Sequence, residues 1–167
     1  MPEGPEVKII SSQLHKILKK KVLKNIIIKG GRYSKKSPDN FINFRETLDT
    51  KIKSVNCKGK FIWFEFDNGW YLWNTLGMTG GWKVNKSKHC HITFVYGTEL
   101  NEIYFDDMRN FGTLKFSNNK KDLEKKLNSL GVDIFSKEFT EEKFKDIIKN
   151  EKDLLLIYYN AHEKENK

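Results

Sequence analysis

Seven short runs rich in β-branched and aromatic residues follow one another along the middle of the chain, and no helical stretch separates most of them. This constrains the fold more than any other feature. The runs cover 22–29, 52–57, 60–66, 70–74, 91–96, 102–105 and 111–116. Strands of this length in sequence, without crossover helices, predict an antiparallel sandwich or barrel. Asp67-Asn68-Gly69 separates two of the runs, so 60–74 reads as one hairpin with a type I′ turn, whose positive φ angles Asn-Gly accepts. Ahead of the strands, Val7, Ile10, Leu14, Ile17 and Leu18 recur at helical spacing over about 3–20. Acidic residues in the first turn and Lys16, Lys19, Lys20 and Lys21 at the end complement the helix dipole. After the strands, Leu123, Leu127 and Leu130 share a helical face that ends at Gly131, a candidate C′ residue. Thr140 is a candidate N-cap for a last helix with Phe144, Ile147 and Ile148. An apolar stretch, 154–159, precedes a polar end, 160–167. The predicted fold is α+β: an N-terminal helix packed on an antiparallel β-sandwich, with helices following it.

With 167 residues, 38% hydrophobic and 13% aromatic, the chain is long and apolar enough for one full domain, or one domain and a fragment of another. No apolar run approaches the roughly 18 to 20 residues of a membrane helix, and the start has no signal-peptide pattern. The expectation is an intracellular protein, nuclear or cytoplasmic, with no membrane partner. Cys57 and Cys90 form no Cys-x-x-Cys pair and are expected as buried thiols. A net charge of +9 and a pI near 9.4 point to a polyanionic partner, since each lysine or arginine on a phosphate releases counterions. Only three of the basic residues are arginine: Arg32, Arg45 and Arg109. The abundance of Lys, Asn and Ile reads equally as the mark of an AT-rich genome.

The start, Met1-Pro2-Glu3-Gly4-Pro5-Glu6-Val7, carries chemistry of its own. Removal of Met1 would leave the Pro2 ring nitrogen as a secondary amine, a nucleophile toward an aldehyde-level carbon. An α-amino group titrates at about 7.7–8.0, so part of it is unprotonated near neutral pH. Glu3 is the adjacent candidate proton donor, provided burial keeps its carboxyl protonated. The competing reading is that Pro2 and Pro5 simply start the helix.

Several segments together resemble one family. The start, Cys57-Lys58-Gly59-Lys60-Phe61, Leu76-Gly77-Met78-Thr79-Gly80, Lys88-His89-Cys90-His91, Asp107-Met108-Arg109-Asn110-Phe111-Gly112 and Leu130-Gly131-Val132-Asp133 occur in the order and at the spacing of the formamidopyrimidine-DNA glycosylase / endonuclease VIII family. These are bifunctional base-excision enzymes with an N-terminal proline nucleophile. The resemblance implies that Pro2 attacks C1′ of a damaged nucleotide, with Glu3 moving protons around the sugar and β- and δ-elimination following. Glu6 matches a carboxylate near the active site, and is equally read as a solvated first-turn residue. Lys60 matches a lysine that reaches the phosphate beside the lesion; without the pattern it is one lysine among many. Met78, Arg109 and Phe111 match the three residues that fill the void left by an extruded nucleotide. Against this, Met78 and Phe111 are candidates for the core, and Arg109 for an ion pair with Asp106 or Asp107. His89 and His91, two apart, would share a strand face, yet no third ligand suggests a metal; the matching segment serves structure and DNA approach. No cofactor is expected.

The resemblance also marks departures. Thr75 stands where many relatives carry a phosphate-contacting histidine. The family continues into a helix-two-turn-helix domain and a finger, whereas only 132–150 resembles the opening of that second domain. The expected organisation is a catalytic domain, 1–131, and a partial helical segment, 132–167. The expected function is DNA base-excision repair by an endonuclease VIII-like glycosylase and AP lyase, hydrolase and lyase in one. The partner is double-stranded DNA with oxidised bases or abasic sites, Gly4 leaning toward oxidised pyrimidines. Two further readings stay open: a truncated, catalytically weak DNA-binding remnant, and a structural subunit of a larger assembly in which a second chain supplies the missing clamp.

Overall fold

The computed structural model describes residues 1–132, 137 and 139–150, with 147–150 described by backbone alone. The apolar stretch 154–159 and the polar end after it lie outside the described residues, as do the side chains of Ile147 and Ile148. The chain divides into two units, Met1–Gly131 and Val132–Lys167.

In the first unit, helix α1 (Gly4–Leu18) precedes the strands β1 (Val22–Ile28), β2 (Thr50–Lys58), β3 (Phe61–Phe66), β4 (Tyr71–Thr75), β5 (Gly81–Lys83), β6 (Cys90–Tyr96), β7 (Asn101–Asp106) and β8 (Thr113–Ser117). A short helix α2 (Phe41–Arg45) lies between β1 and β2, and α3 (Lys120–Ser129) follows β8. The strands form one antiparallel sheet in the order β5-β7-β6-β1-β2-β3-β4-β8. It folds back on itself near β1 and β2, which pair only at Val22↔Lys51 and Leu23↔Thr50. Register shifts at Leu23/Asn25 and Ile52/Ser54 flank that short pairing, the local bends by which a bulged strand changes direction. The halves then face each other as a sandwich. Phe64 of β3 lies 6.2 Å from Phe94 of β6, with Trp82 of β5 5.5 Å from Phe64.

Helix α1 buries Val7, Leu14 and Leu18 against this core, with Ile10 and Ile17 packed at its edge, the stripe its spacing predicts. It ends where Lys20 takes a positive φ of 66° and donates its N–H to Ile52 O. Helix α2, which the sequence pattern does not reveal, inserts Phe41 and Phe44 under β8; Phe44 stacks on Phe116 at 4.5 Å. Five residues are too short for a periodic signal.

Three local expectations need correction. The 67–69 loop is not a type I′ turn. Phe66 N–H donates to Trp70 O across three residues, and only Gly69 has positive φ, +85°, while Asn68 accepts from Trp70 N–H and donates to Thr47 Oγ1. That is the three-residue form of the hairpin, chosen because Asn68 is tied on both sides. The run 111–116 becomes a strand only from Thr113, because Phe111 and Gly112 belong to a tight loop. Helix α3 stops at Ser129, with Leu130 as an extended cap and Gly131 outside the left-handed region. Its N-cap is Asn119, which accepts from Lys121 and Asp122 N–H.

The second unit contains helix α4 (Glu141–Asn150), capped by Thr140, whose Oγ1 accepts from Lys143 N–H at 3.2 Å. Phe139 packs edge-on against Phe144. Among the described residues, no helix is long and apolar enough to cross a membrane.

Candidate functional site

Pro2 stands one residue ahead of the helix cap. Glu3 is the N-cap, in extended conformation (φ −92°, ψ 172°), and Pro5 sits in the first turn. The helix-start reading therefore accounts for Pro5 and not for Pro2. Pro2 instead lines a pocket of about 310 Å³ with Lys60, Phe61, Thr75, Leu76, Gly77 and Lys126.

Glu6 is not in that lining. Its Oε2 accepts the Glu3 N–H at 3.0 Å, one arm of a capping box. It therefore sets the direction in which the chain leaves Glu3. Lys60 comes from the two-residue turn between Lys58 and Phe61, where Gly59 takes φ +58°. Glycine at the first central position suits the type II′ hairpin turn, so the lysine falls at the tip. Its Nζ lies 2.9 Å from Glu3 Oε2. Glu3 is not buried, as a protonated donor would require; its side chain is 60% exposed.

Met78, Arg109 and Phe111 come together on two adjacent loops, 76–80 and 107–112. Met78 is 43% and Phe111 57% exposed, which removes the core alternative for both. Arg109 has no ion pair among the described residues. Asp106 pairs with Lys83, while Asp107 accepts from Thr79 Oγ1 at 2.6 Å and from Gly112 N–H at 2.7 Å. The same Thr79 oxygen accepts the Arg109 N–H at 2.9 Å. Thus the buried Asp107 carboxylate ties the Met78 loop to the Arg109–Phe111 loop through Thr79 and closes the second loop on itself through Gly112. Gly77 makes the contact close: a Cβ there would meet the Phe111 carbonyl carbon at 2.7 Å and Gly112 N at 2.8 Å. Thr79 and Asp107 are the members of this cluster that sequence reasoning passes over, since residue type alone gives no sign of a bond across 28 positions.

His89 and His91 do not share a strand face. Strand β6 begins at Cys90, His91 N–H donates to His89 O, and the register shifts between Cys90 and Ile92. The rings stand 6.5 Å apart at 70°. His89 O also accepts the Asp107 N–H, while His91 rests against Gly30 and Gly31, where a Cβ on Gly30 would come within 2.8 Å of its Nδ1. Both residues therefore lie under the Arg109 loop. No group of three or more His, Cys, Asp or Glu placed to hold a metal occurs among the described residues.

Asp106 is the polar centre beside this loop. Burial raises its pKa, but hydrogen bonds from Ser87 and Lys83, the Lys83 charge and Cys90 outweigh it and hold the carboxyl below its ordinary value. Cys90 is buried as expected, whereas Cys57 is only half-buried.

An N-terminal helix on an antiparallel sandwich, with a proline at a pocket beside a lysine-tipped turn and three exposed side chains on stapled loops, defines a family of nucleic-acid enzymes when set against known proteins. The formamidopyrimidine-DNA glycosylase N-terminal domain model matches residues 1–114. The formamidopyrimidine-DNA glycosylase of Oceanobacillus iheyensis is 33% identical over 156 residues, covering 89% of this chain and 55% of the relative. That of Rickettsia conorii is 33% identical over 160 residues, covering 91% and 56%. The MutM (Fpg) structure from Thermus thermophilus superposes with a TM-score of 0.67 at 27% identity, covering 81% of this chain and 48% of that one. A MutM solved in complex with carbocyclic 8-oxo-G containing DNA gives 0.64 at 24% identity, covering 76% and 48%. The chain belongs to the formamidopyrimidine-DNA glycosylase family. It spans about half the length of the curated relatives it matches.

Proposed function

We propose that the chain carries the catalytic half of a DNA glycosylase and AP lyase that removes oxidised bases in base-excision repair. The observation that carries this reading is the position of Pro2: outside the helix, at a pocket whose rim holds the Glu3–Lys60 pair. With Met1 removed, the unprotonated Pro2 nitrogen attacks C1′, the glycosidic bond breaks, and the base leaves with its bonding electrons and takes up the proton that the nitrogen sheds. The ring then opens to an iminium as the sugar O4′ takes a proton from Glu3, whose carboxyl is exposed and paired with Lys60 in the free protein and, in this reading, becomes covered and protonated when DNA seats over it and Lys60 leaves. The Glu3 carboxylate so formed takes a C2′ proton, which expels the 3′ phosphate with its C–O bonding electrons, and a second elimination expels the 5′ phosphate in the same way. Lys60 passes from Glu3 to the phosphate beside the lesion; a compact ammonium suits that exchange. Glu6 acts by positioning Glu3.

Met78, Arg109 and Phe111 would enter the gap in the duplex, a flexible thioether, a planar cation and a ring being suited to an unstacked site. His89 and His91 support their loop and approach DNA from below it. Residues 1–131 form the catalytic domain in this reading, and 132–167 the opening of the helix-two-turn-helix domain. The partner is duplex DNA with an oxidised base or abasic site. The endonuclease VIII-like lean from Gly4 finds no support among these relatives, all formamidopyrimidine-DNA glycosylases, so both oxidised purines and pyrimidines belong in the assay. Nothing observed supports a role for a second chain. A binding remnant without catalysis is the second reading, favoured by the net charge of +9, which suits duplex binding whether or not Pro2 reacts.

Borohydride trapping separates the two. Protein freed of Met1, incubated with abasic-site duplex, is expected to give a covalent adduct that is lost when the N-terminus is acetylated. Salt-sensitive duplex binding with no adduct at any pH would leave only the remnant.

A further inference from the structure

Helix α3 closes one side of the Pro2 pocket. Leu123 is buried with Phe61 and Tyr71 against β3 and β4, and Leu127 and Leu130 pack at the edge of that cluster. Lys58, two residues before Lys60, donates from its ammonium to Leu127 O at 2.8 Å. The last turn of α3 is thereby fastened to the same hairpin that carries Lys60 at its tip. Lys126 and Leu130, on either side of that attachment, both line the pocket with Pro2. The Lys126 ammonium lies 5.6 Å from the centre of the Phe61 ring, and Phe61 is another wall of the pocket. A cation over an aromatic face is attracted by the ring quadrupole, which restrains an otherwise flexible side chain.

The charges around the pocket do not cancel. Its lining contains two titratable side chains, Lys60 and Lys126. Glu3 neutralises Lys60 at 2.9 Å, and Glu6, the other carboxylate of the chain start, is taken up by the Glu3 N–H. Lys58 is bonded to Leu127 O outside the lining, and the α3 neighbours Glu124 and Lys125 are exposed, outside the lining and opposite in charge. Lys126 has no ion pair among the described residues. A cavity of about 310 Å³ is on the order of 10 Å across, about one Debye length at 0.1 M salt, so a cation on one wall acts on a charge at the other. A like charge nearby disfavours the protonated form of an amine. We propose that Lys126 activates Pro2 electrostatically: once Met1 is gone, its ammonium makes the facing secondary ammonium shed its proton to solvent, which leaves the Pro2 nitrogen free to attack near neutral pH. Lys126 acts through Pro2 and bonds to no substrate atom. The inference rests on the proposed Pro2 chemistry and adds the group that prepares the nucleophile for it.

The test reads the protonation of Pro2 directly, without DNA. The full chain, freed of Met1 and labelled with 13C-proline, is titrated across neutral pH and its proline carbon resonances are followed. It has three prolines, Pro2, Pro5 and Pro38, and the Pro2 signals are those whose titration is abolished by N-terminal acetylation. Lys126→Gln is expected to raise the Pro2 midpoint by about 0.5–1 pH unit, the Coulomb effect of one partly screened charge at such a distance. Lys126→Arg, which keeps the charge, is expected to leave the midpoint at the wild-type value. At about 1 M salt, where the Debye length falls to about 3 Å, wild type and Lys126→Gln should converge. An unchanged midpoint in Lys126→Gln overturns the proposal. Equal rises in the glutamine and arginine variants overturn it as well, because the packing of α3 and not its charge would then set the midpoint. The acid limb of borohydride trapping with abasic-site duplex should move upward in Lys126→Gln by the same amount, and a limb that stays fixed removes the activating role. Since the titration needs no turnover, absence of any adduct would defeat the catalytic reading of Pro2 while the effect of Lys126 on its nitrogen is still decided.

Discussion

Lys60 Nζ lies 2.9 Å from Glu3 Oε2, which couples the tip of the β2–β3 turn to the cap of the first helix. Both side chains are about half exposed or more, so the pair contributes on the order of 0–1 kcal/mol to stability. Its value is positional: it holds the two candidate catalytic groups at the mouth of the pocket that Pro2 lines.

Replacement of either partner should therefore be nearly silent in folding and costly in activity. Glu3→Gln is expected to leave the thermal midpoint within a few degrees of wild type while slowing adduct formation by about 10²–10⁴, the usual worth of a positioned proton donor. Single-turnover trapping at fixed abasic DNA gives the rate. A Glu3→Gln protein that traps at the wild-type rate would exclude Glu3 from proton transfer.

Phe111 and Met78 are exposed apolar side chains with little burial to lose. Phe111→Ala and Met78→Ala should each change stability by less than about 0.5 kcal/mol, as surface substitutions commonly do. Both should weaken binding to abasic-site duplex more than to intact duplex, because only the former presents a gap to fill. Equal loss on both DNAs would mean these residues make ordinary surface contacts.

Asp107 is 3% exposed and accepts from Thr79 and Gly112. Asp107→Ala leaves the buried Gly112 N–H unpaired, at a cost of about 1–3 kcal/mol. That should appear as a lower urea midpoint. Thr79→Val, which breaks the bonds to Asp107 and Arg109 while keeping the shape, should reduce lesion-duplex affinity through the Arg109 loop, and Thr79→Ser should restore it. Failure of serine to rescue would assign the threonine a packing role.

Asp106 gives the acid dependence. Its folded-state pKa lies below the ordinary 3.8. Near pH 3.8 the unfolded chain therefore binds the proton that the folded one does not, and stability rises with pH there. The contribution is complete above 3.8 and disappears as pH falls through the lowered folded value. Asp106→Asn should be less stable at about pH 6 and show a shallower loss of stability below about pH 4. Denaturant titrations at the two pH values measure the difference.

Much of this site is legible in the order of residues along the chain. Pro2 and Glu3 are adjacent by covalent bonding, and the Gly59 turn forces Lys60 to a loop tip. What spacing misses is of two kinds. Short or irregular pieces, such as α2, β5 and the 107–112 loop, have no period to detect. The exchange of a strand for a loop at Phe111 follows from Asp107 drawing in the Gly112 N–H, a contact invisible in a local window.

From the sequence alone came the amphipathic first helix, the run of short antiparallel strands and the chemistry latent in a second-position proline, because helical and strand periods are local properties of neighbouring residues. Only the tertiary structure decided that Lys60 meets Glu3, that Thr79 meets Asp107, and that Lys126 lines the pocket of Pro2. Such meetings depend on which strands pair and in which register, and a shift of one residue would turn each strand's side chains to the opposite face.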